Sequence, residues 1–282
     1  MIERHPFLTF LSHLILIFGI IIFVLPIYIA FVASTHSNEA LMQSPIPIFP
    51  GRHLWEVYKT VLLHGVSAAG TDAIAPMLWR SFIMALLIAT GKIIVSILSA
   101  YAVVYFHFPL RKFCFWLIFL TLMLPVEVRI LPTFEIVARM NLLNSYAGLT
   151  LPLIASATAT FLFRQFFLTI PEQLTEAAKL DGAGPLRFLW DIVLPLSKTN
   201  IAALFIIMFI YGWNQYLWPL VVTTRSDMST IVMGMQQLAN VADQVPQWNA
   251  IMAMAILATL PPILVVVCMQ RLFEKGLMVT EK

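Results

Sequence analysis

The sequence predicts an all-α membrane protein with six transmembrane helices, and three observations predict it. Of 282 residues, 60% are hydrophobic and only 11% charged, against about 45–50% and about 25% in soluble domains. The 17 Lys and Arg and 14 Asp and Glu are too few to cover a water-soluble chain of this length. Six apolar runs, at 10–32, 82–106, 113–134, 148–167, 201–222 and 251–269, each reach roughly 29 to 38 Å as helices, enough for a hydrocarbon layer of roughly 30 Å.

Each element follows in order. The first run is preceded by a single basic residue, Arg4, exceeds a signal-peptide core in length and lacks a small-residue cleavage site, so it is expected to be a retained helix. The segment 34–80 carries Pro45, Pro47 and Pro50, then Leu54, Val57, Tyr58 and Val61 at helical spacing, which predicts a surface helix over 54–63. The other runs are apolar on all faces, which excludes the alternation of a barrel strand. The segment 223–249 mixes Met228, Met233 and Met235 with polar residues; it suits either an adaptable partner surface or a plain connector.

The basic residues set the orientation. With the first residue inside, ten Lys and Arg fall on inner segments and five (Arg52, Lys59, Arg80, Arg139 and Arg225) on outer ones. Basic loops are retained on the cytoplasmic side, so both termini are expected in the cytoplasm.

Several function classes are excluded or unsupported. A net charge of +3 without a basic cluster does not describe a nucleic-acid binder. Cys114 and Cys268 stand apart in apolar runs, and the six histidines lack metal-ligand spacing. No G-x-S-x-G turn is present, and Gly91-Lys92 is followed by Ile93 without the upstream Gly of a phosphate-binding loop.

The inner segment 169–200 is the most informative. Pro171 and Pro185 suit first helical turns and Gly182 suits a helix end, so two short helices with a Gly-containing turn are predicted. Ala177 and Ala178 leave one side thin, inside a rim of Glu176, Lys179 and Asp181. Small residues inside a charged rim suit docking of another protein.

Glu176, Ala177, Ala178, then Gly182, Ile192, Leu194 and Pro195 form the spacing E-A-A, three residues, G, nine residues, I-x-L-P. At about 5–10% per residue type, seven coincidences have a chance of order 10⁻⁸ per starting point. The chain thereby resembles the permease subunits of bacterial ATP-binding-cassette importers of the carbohydrate type, over nearly its whole length. The stretches LMLPVEVRILPTFE, SYAGLTLPLIASATATFLFRQFF and FIYGWNQYLWPL add to the resemblance. It implies one permease domain over 1–282 with the type I importer fold, in the bacterial inner membrane, and no enzymatic activity of its own. It further implies that Glu176, Ala177, Ala178, Asp181 and Gly182 form a coupling helix on a cytoplasmic ATPase, with Ile192, Leu194 and Pro195 tying the loop to the fifth span. The implied partners are a second permease subunit, two ATPase subunits and an external substrate-binding protein; ATP and Mg would sit on the ATPase subunits, with no cofactor on this chain.

Residues of the translocation path are read from physical chemistry. Tyr211, Asn214, Gln215 and Trp218 recur at three- and four-residue spacing, which places them on one face if the fifth span is continuous. They suit substrate contact or interhelical hydrogen bonds, and Pro219 is expected to bend the outer end. Lys92, Glu127 and Arg129 fall inside spans, where charge is costly and functional by default. Lys92 or Arg129 would offset the desolvation of a phosphate ester; alternatively, Glu127 neutralises one of them. A sugar or a polyol phosphate fits the same framework. A secondary transporter or channel would share the spans without the coupling loop, and the two halves show no convincing repeat.

Overall fold

The computed structural model describes residues 6–45, 47–65, 73–121, 124, 126–240 and 246–280. These residues form fifteen α-helices in chain order: α1 Pro6–Ser34, α2 Asn38–Leu41, α3 Leu54–Leu63, α4 Ile74–Tyr105, α5 Arg111–Leu120, α6 Val126–Arg139, α7 Tyr146–Thr150, α8 Ala157–Phe167, α9 Glu172–Leu180, α10 Pro185–Phe188, α11 Leu194–Leu196, α12 Lys198–Trp213, α13 Leu217–Val222, α14 Ile231–Ala239 and α15 Trp248–Thr280. Helix α3 occupies the range its spacing predicts. Two compact units lie within what the sequence reads as one domain: 1–76 with 234–260, and 77–233 with 261–282.

Among the described residues three helices are long and apolar enough to cross a membrane: Thr9–Ser34, Ile74–Tyr105 and Trp248–Gln270. Two bent pairs, Tyr146–Leu153 with Ala157–Phe167 at 49° and Pro185–Leu196 with Lys198–Trp213 at 76°, raise the count to five if each makes one crossing. Six uninterrupted helices were expected, and the difference has a local cause. Hydropathy averaged over a window does not register a break of a few residues. The run 113–134 divides between α5 and α6, and the run 201–222 divides at residues 214–216, between α12 and α13.

In the first unit the structure gathers around the end of α1. From Leu11 to Ile29 every residue of α1 except Gly19 is exposed, whereas Val32, Ser34 and Thr35 are buried. Thr35 Oγ1 accepts from Gly51 N at 2.7 Å, and the Thr35 carbonyl accepts from His53 N at 3.0 Å. Gly51 is required there, because a Cβ would stand 2.5 Å from the Thr35 carbonyl oxygen. Asn38 Oδ1 accepts from Trp248 N, and Asn249 Nδ2 donates to the His36 carbonyl, which ties the start of α15 to the same loop.

The second unit has a core of Met84, Ile88, Val137, Leu149, Leu153, Trp218 and Val222. Close approach is purchased with glycine: a Cβ on Gly148 would fall 2.1 Å from the Leu142 carbonyl oxygen, and one on Gly212 would fall 3.0 Å from Ala85 Cα. Lower in the unit, Tyr101 OH donates to the Pro185 carbonyl at 2.7 Å, and Tyr105 packs edge-on to Phe188 at 5.2 Å. These contacts seat α10 against the last turns of α4.

The two kinds of glycine predict opposite outcomes. Gly148→Ala should destabilise the protein by about 1–3 kcal/mol, since backbone must shift to admit the methyl group. Gly19→Ala, with nothing within 4 Å, should be neutral or stabilising by up to about 1 kcal/mol. Thermal unfolding of the detergent-solubilised protein measures both.

Candidate functional site

The segment 171–197 is built as a surface knob. Pro171 stands at the N-cap of α9, one position before the first turn in which the sequence places it, while Pro185 occupies the first turn of α10. Glu172 in the first turn of α9 and Lys179 in the last complement the helix dipole. Gly182 follows at φ +69°, with its N–H on the Lys179 carbonyl and the Ala183 N–H on the Ala178 carbonyl. Only a residue without Cβ takes that conformation without strain. The chain then runs through α10 and a π-helical turn, Leu189–Val193, into α11, where Ser197 Oγ donates to the Val193 carbonyl at 2.5 Å.

The residues read from the motif divide by exposure. Glu176, Ala177, Asp181, Gly182 and Pro195 are exposed, Ile192 and Leu194 are half-buried, and Ala178 is buried. Ala178 is thus packing under the knob rather than part of its outer face. Three side chains missed by sequence reasoning stand on the surface: Leu180 is 89% exposed, Leu186 72% and Trp190 67%. Large apolar groups at such exposure mark a partner surface. The available signal was an apolar residue, Leu180, between Lys179 and Asp181.

The interior residues do not form one face. Helix α12 ends at Trp213, Asn214 is its C-cap, and Gln215 Nε2 donates to the Tyr211 carbonyl at 3.2 Å, satisfying a group freed by the break. Pro219 lies in the first turn of α13, where a missing N–H costs nothing, so the interruption precedes it. Trp218 is 2% exposed and donates Nε1–H to the Gly148 carbonyl at 3.2 Å. It is a core residue that makes a hydrogen bond between elements. Asn214 is exposed.

Two of the residues that sequence reasoning groups with the path, from distant parts of the chain, do meet. Lys92 is 6% exposed and its ammonium lies 3.6 Å from the centre of the Tyr211 ring. Removed from water, such a cation–π contact is worth about 2 kcal/mol. Among the described residues no carboxylate lies within ion-pair distance of Lys92. Arg129 is exposed, and the Glu127 side chain lies outside the described residues.

Comparison with known proteins places this geometry. The pattern of the binding-protein-dependent transport system inner membrane component matches residues 92–279. The chain is 57% identical over 282 residues to an sn-glycerol-3-phosphate transport system permease protein of Brucella melitensis, and 56% identical to those of Rhizobium meliloti and Pectobacterium atrosepticum, with 100% of both chains covered in each case. In fold it is similar to a crystal structure of a bacterial ABC transporter involved in the import of the acidic polysaccharide alginate, with TM-score 0.80, 20% identity, and 96% of this chain and 98% of that chain covered. The chain belongs to the family of inner membrane components of binding-protein-dependent transport systems. It is a transport subunit, the permease of an ABC importer.

The two polar groups at the break of α12 and α13 should respond differently to truncation. Trp218→Phe should cost about 1–3 kcal/mol, because the Gly148 carbonyl is left buried and unpaired. Asn214→Ala should stay within about 0.5 kcal/mol. Denaturation monitored by tryptophan fluorescence or size-exclusion recovery after heating separates the two.

Proposed function

We propose that the chain is the permease subunit of an importer of sn-glycerol-3-phosphate, with the knob 171–197 as its docking surface for a cytoplasmic ATPase. The full-length similarity at 56–57% to permeases named for that substrate carries the substrate assignment. The exposed Glu176, Ala177, Asp181, Leu180, Leu186 and Trp190 on a knob held by Gly182 support the docking assignment. ATP and Mg belong to the ATPase partners, two in number, and a second related permease completes the pathway. On this reading both termini are cytoplasmic, and a loaded external binding protein contacts the opposite side, around α3 and α14.

The mechanism follows from rigid coupling. Closure of the ATPase pair on ATP moves the docked α9 and α10 as one body, because the turn at Gly182 and the Tyr101 contact with Pro185 leave few soft joints. The membrane helices respond by exchanging inward and outward openings. The binding protein favours the outward state by binding it better. Lys92, poised on Tyr211, is the cation assigned to the phosphate, and Arg129 is a second along the same route; Asn214 and Gln215 at the helix break offer polar groups to the glycerol hydroxyls. Trp218 supports the route by packing and does not line it.

Glu176→Ala should leave folding intact and weaken ATPase docking about tenfold, as one exposed hot-spot residue does; Gly182→Val should strain the turn and uncouple ATP turnover from substrate. Vesicle uptake and ATPase assays with loaded binding protein read both, and normal stimulation in both variants would sink the coupling assignment. Lys92→Met should raise the KM for sn-glycerol-3-phosphate about tenfold, the loss of one charge-assisted contact, with recovery in Lys92→Arg. Equal losses in Met and Arg variants at unchanged KM would instead assign Lys92 to packing on Tyr211.

A further inference from the structure

A second basic site lies away from both the knob and Lys92. The last turns of α4 (Val103 and Val104), the start of α5 and the end of α8 enclose a cleft of about 400 Å³. Its cations are Arg111, Lys112 and Arg164, and its remaining wall is apolar except for the Gln165 amide, with Phe115, Trp116 and Phe119 prominent. No carboxylate lines it, and among the described residues none pairs with these three cations. Arg164 lies over the Phe115 ring at 4.2 Å, yet its buried Nε has no hydrogen-bond acceptor among the described residues. A buried guanidinium N–H without an acceptor is costly and rare.

Local structure at the cleft adds to the positive field. Arg111 and Lys112 occupy the first turn of α5, where the helix dipole disfavours cations, and no side chain caps that turn. Leu110 before them holds φ +63° and is 71% exposed. The outward surroundings are apolar: Phe113, Trp116, Leu117, Leu162 and Leu168 are all exposed. Three cations with no carboxylate partner among the described residues, of which Arg111 donates to the Phe106 carbonyl at 3.4 Å, open onto an apolar surface, the combination that receives an anionic headgroup with its chains alongside. A soluble anion would need the cations but not the apolar surround.

We propose that this cleft binds the phosphate of an anionic phospholipid, with the acyl chains on the exposed face of α5 and α8. The cleft lies at the end of α4 and α8 that leads into the knob, so the docking assignment above places it in the cytoplasmic leaflet; the proposal rests on that assignment for the leaflet alone. Arg164, stacked on Phe115, supplies guanidinium charge in the wall, and Arg111 and Lys112 supply charge at the rim.

The test uses the complete transport complex in nanodiscs of phosphatidylcholine with trace photoactivatable phosphatidylglycerol. The probe should label α5 and α8, and labelling should fall about fivefold for each cation neutralised in Arg111→Gln, Lys112→Gln and Arg164→Gln. Arg164→Lys should retain most of it, which separates charge from folding. Inorganic phosphate should not compete. Equal labelling by a phosphatidylcholine probe, competition by inorganic phosphate, or protection of the cleft in the complex but not in the isolated chain would each overturn the proposal, the last by assigning the cleft to a protein partner. Cross-linking to the ATPase from Gly184→Cys, an exposed position on the knob with open space for a side chain, tests the docking assignment separately. Its failure with lipid labelling intact would remove only the leaflet, and the converse result would remove only the lipid site.

Discussion

The Gly148 carbonyl is buried in an apolar core and accepts from Trp218 Nε1 at 3.2 Å. In a bilayer no water substitutes for such a donor, so a backbone group exposed by a helix end must find its partner within the protein. Both sides of this bond come from interrupted helices: α7 ahead of the bend to α8, and α13 after the break from α12. The bond joins the two interruptions, and glycine at 148 lets the carbonyl approach while the Leu142 carbonyl oxygen passes within 2.1 Å of where a Cβ would stand. The position of Tyr211, and through it the ammonium of Lys92, depends on where α12 is allowed to stop.

A second interruption lies at the other end of α12. The 76° bend between Pro185–Leu196 and Lys198–Trp213 turns the chain from the knob into the membrane-spanning part. The π-helical turn before it inserts one residue beyond the α-helical repeat, a frequent device at functional sites. Ser197 closes the corner by returning its hydroxyl to Val193. The segment 171–197 is therefore joined to α12 through a bend at which the Val193 and Leu194 carbonyls both accept from Ser197.

Legibility in the sequence followed the range of the interactions. The turn at Gly182 and the surface helix α3 depend on neighbours within a few residues, and both stand where spacing and composition place them. The break at 214–216 leaves apolar sequence on both sides, so an averaged pattern passes over it. Tyr211, Asn214, Gln215 and Trp218 were grouped by a helical period that ends at Asn214, which separated Trp218 from the rest. The pairing of Lys92 with Tyr211 spans 119 positions and has no periodic signature. Leu180, Leu186 and Trp190 escaped notice because apolar residues in an apolar chain are read as core, although their neighbours are charged or turn-forming.

Helix α1 touches the rest of its unit through its last two turns, Tyr28 OH donating to the Ile48 carbonyl at 3.0 Å, and from Leu11 to Ile27 is exposed except at Gly19. Within its own chain, accordingly, α1 draws its free energy more from transfer of side chains into hydrocarbon than from interlocking with the other helices of its unit. A helix held in this manner tolerates exchange among aliphatic residues along its middle, since lipid conforms to any of them. The node at Thr35, Gly51 and His53, with the Ser34–Tyr58 and Tyr28–Ile48 hydrogen bonds beside it, specifies where that helix joins the fold.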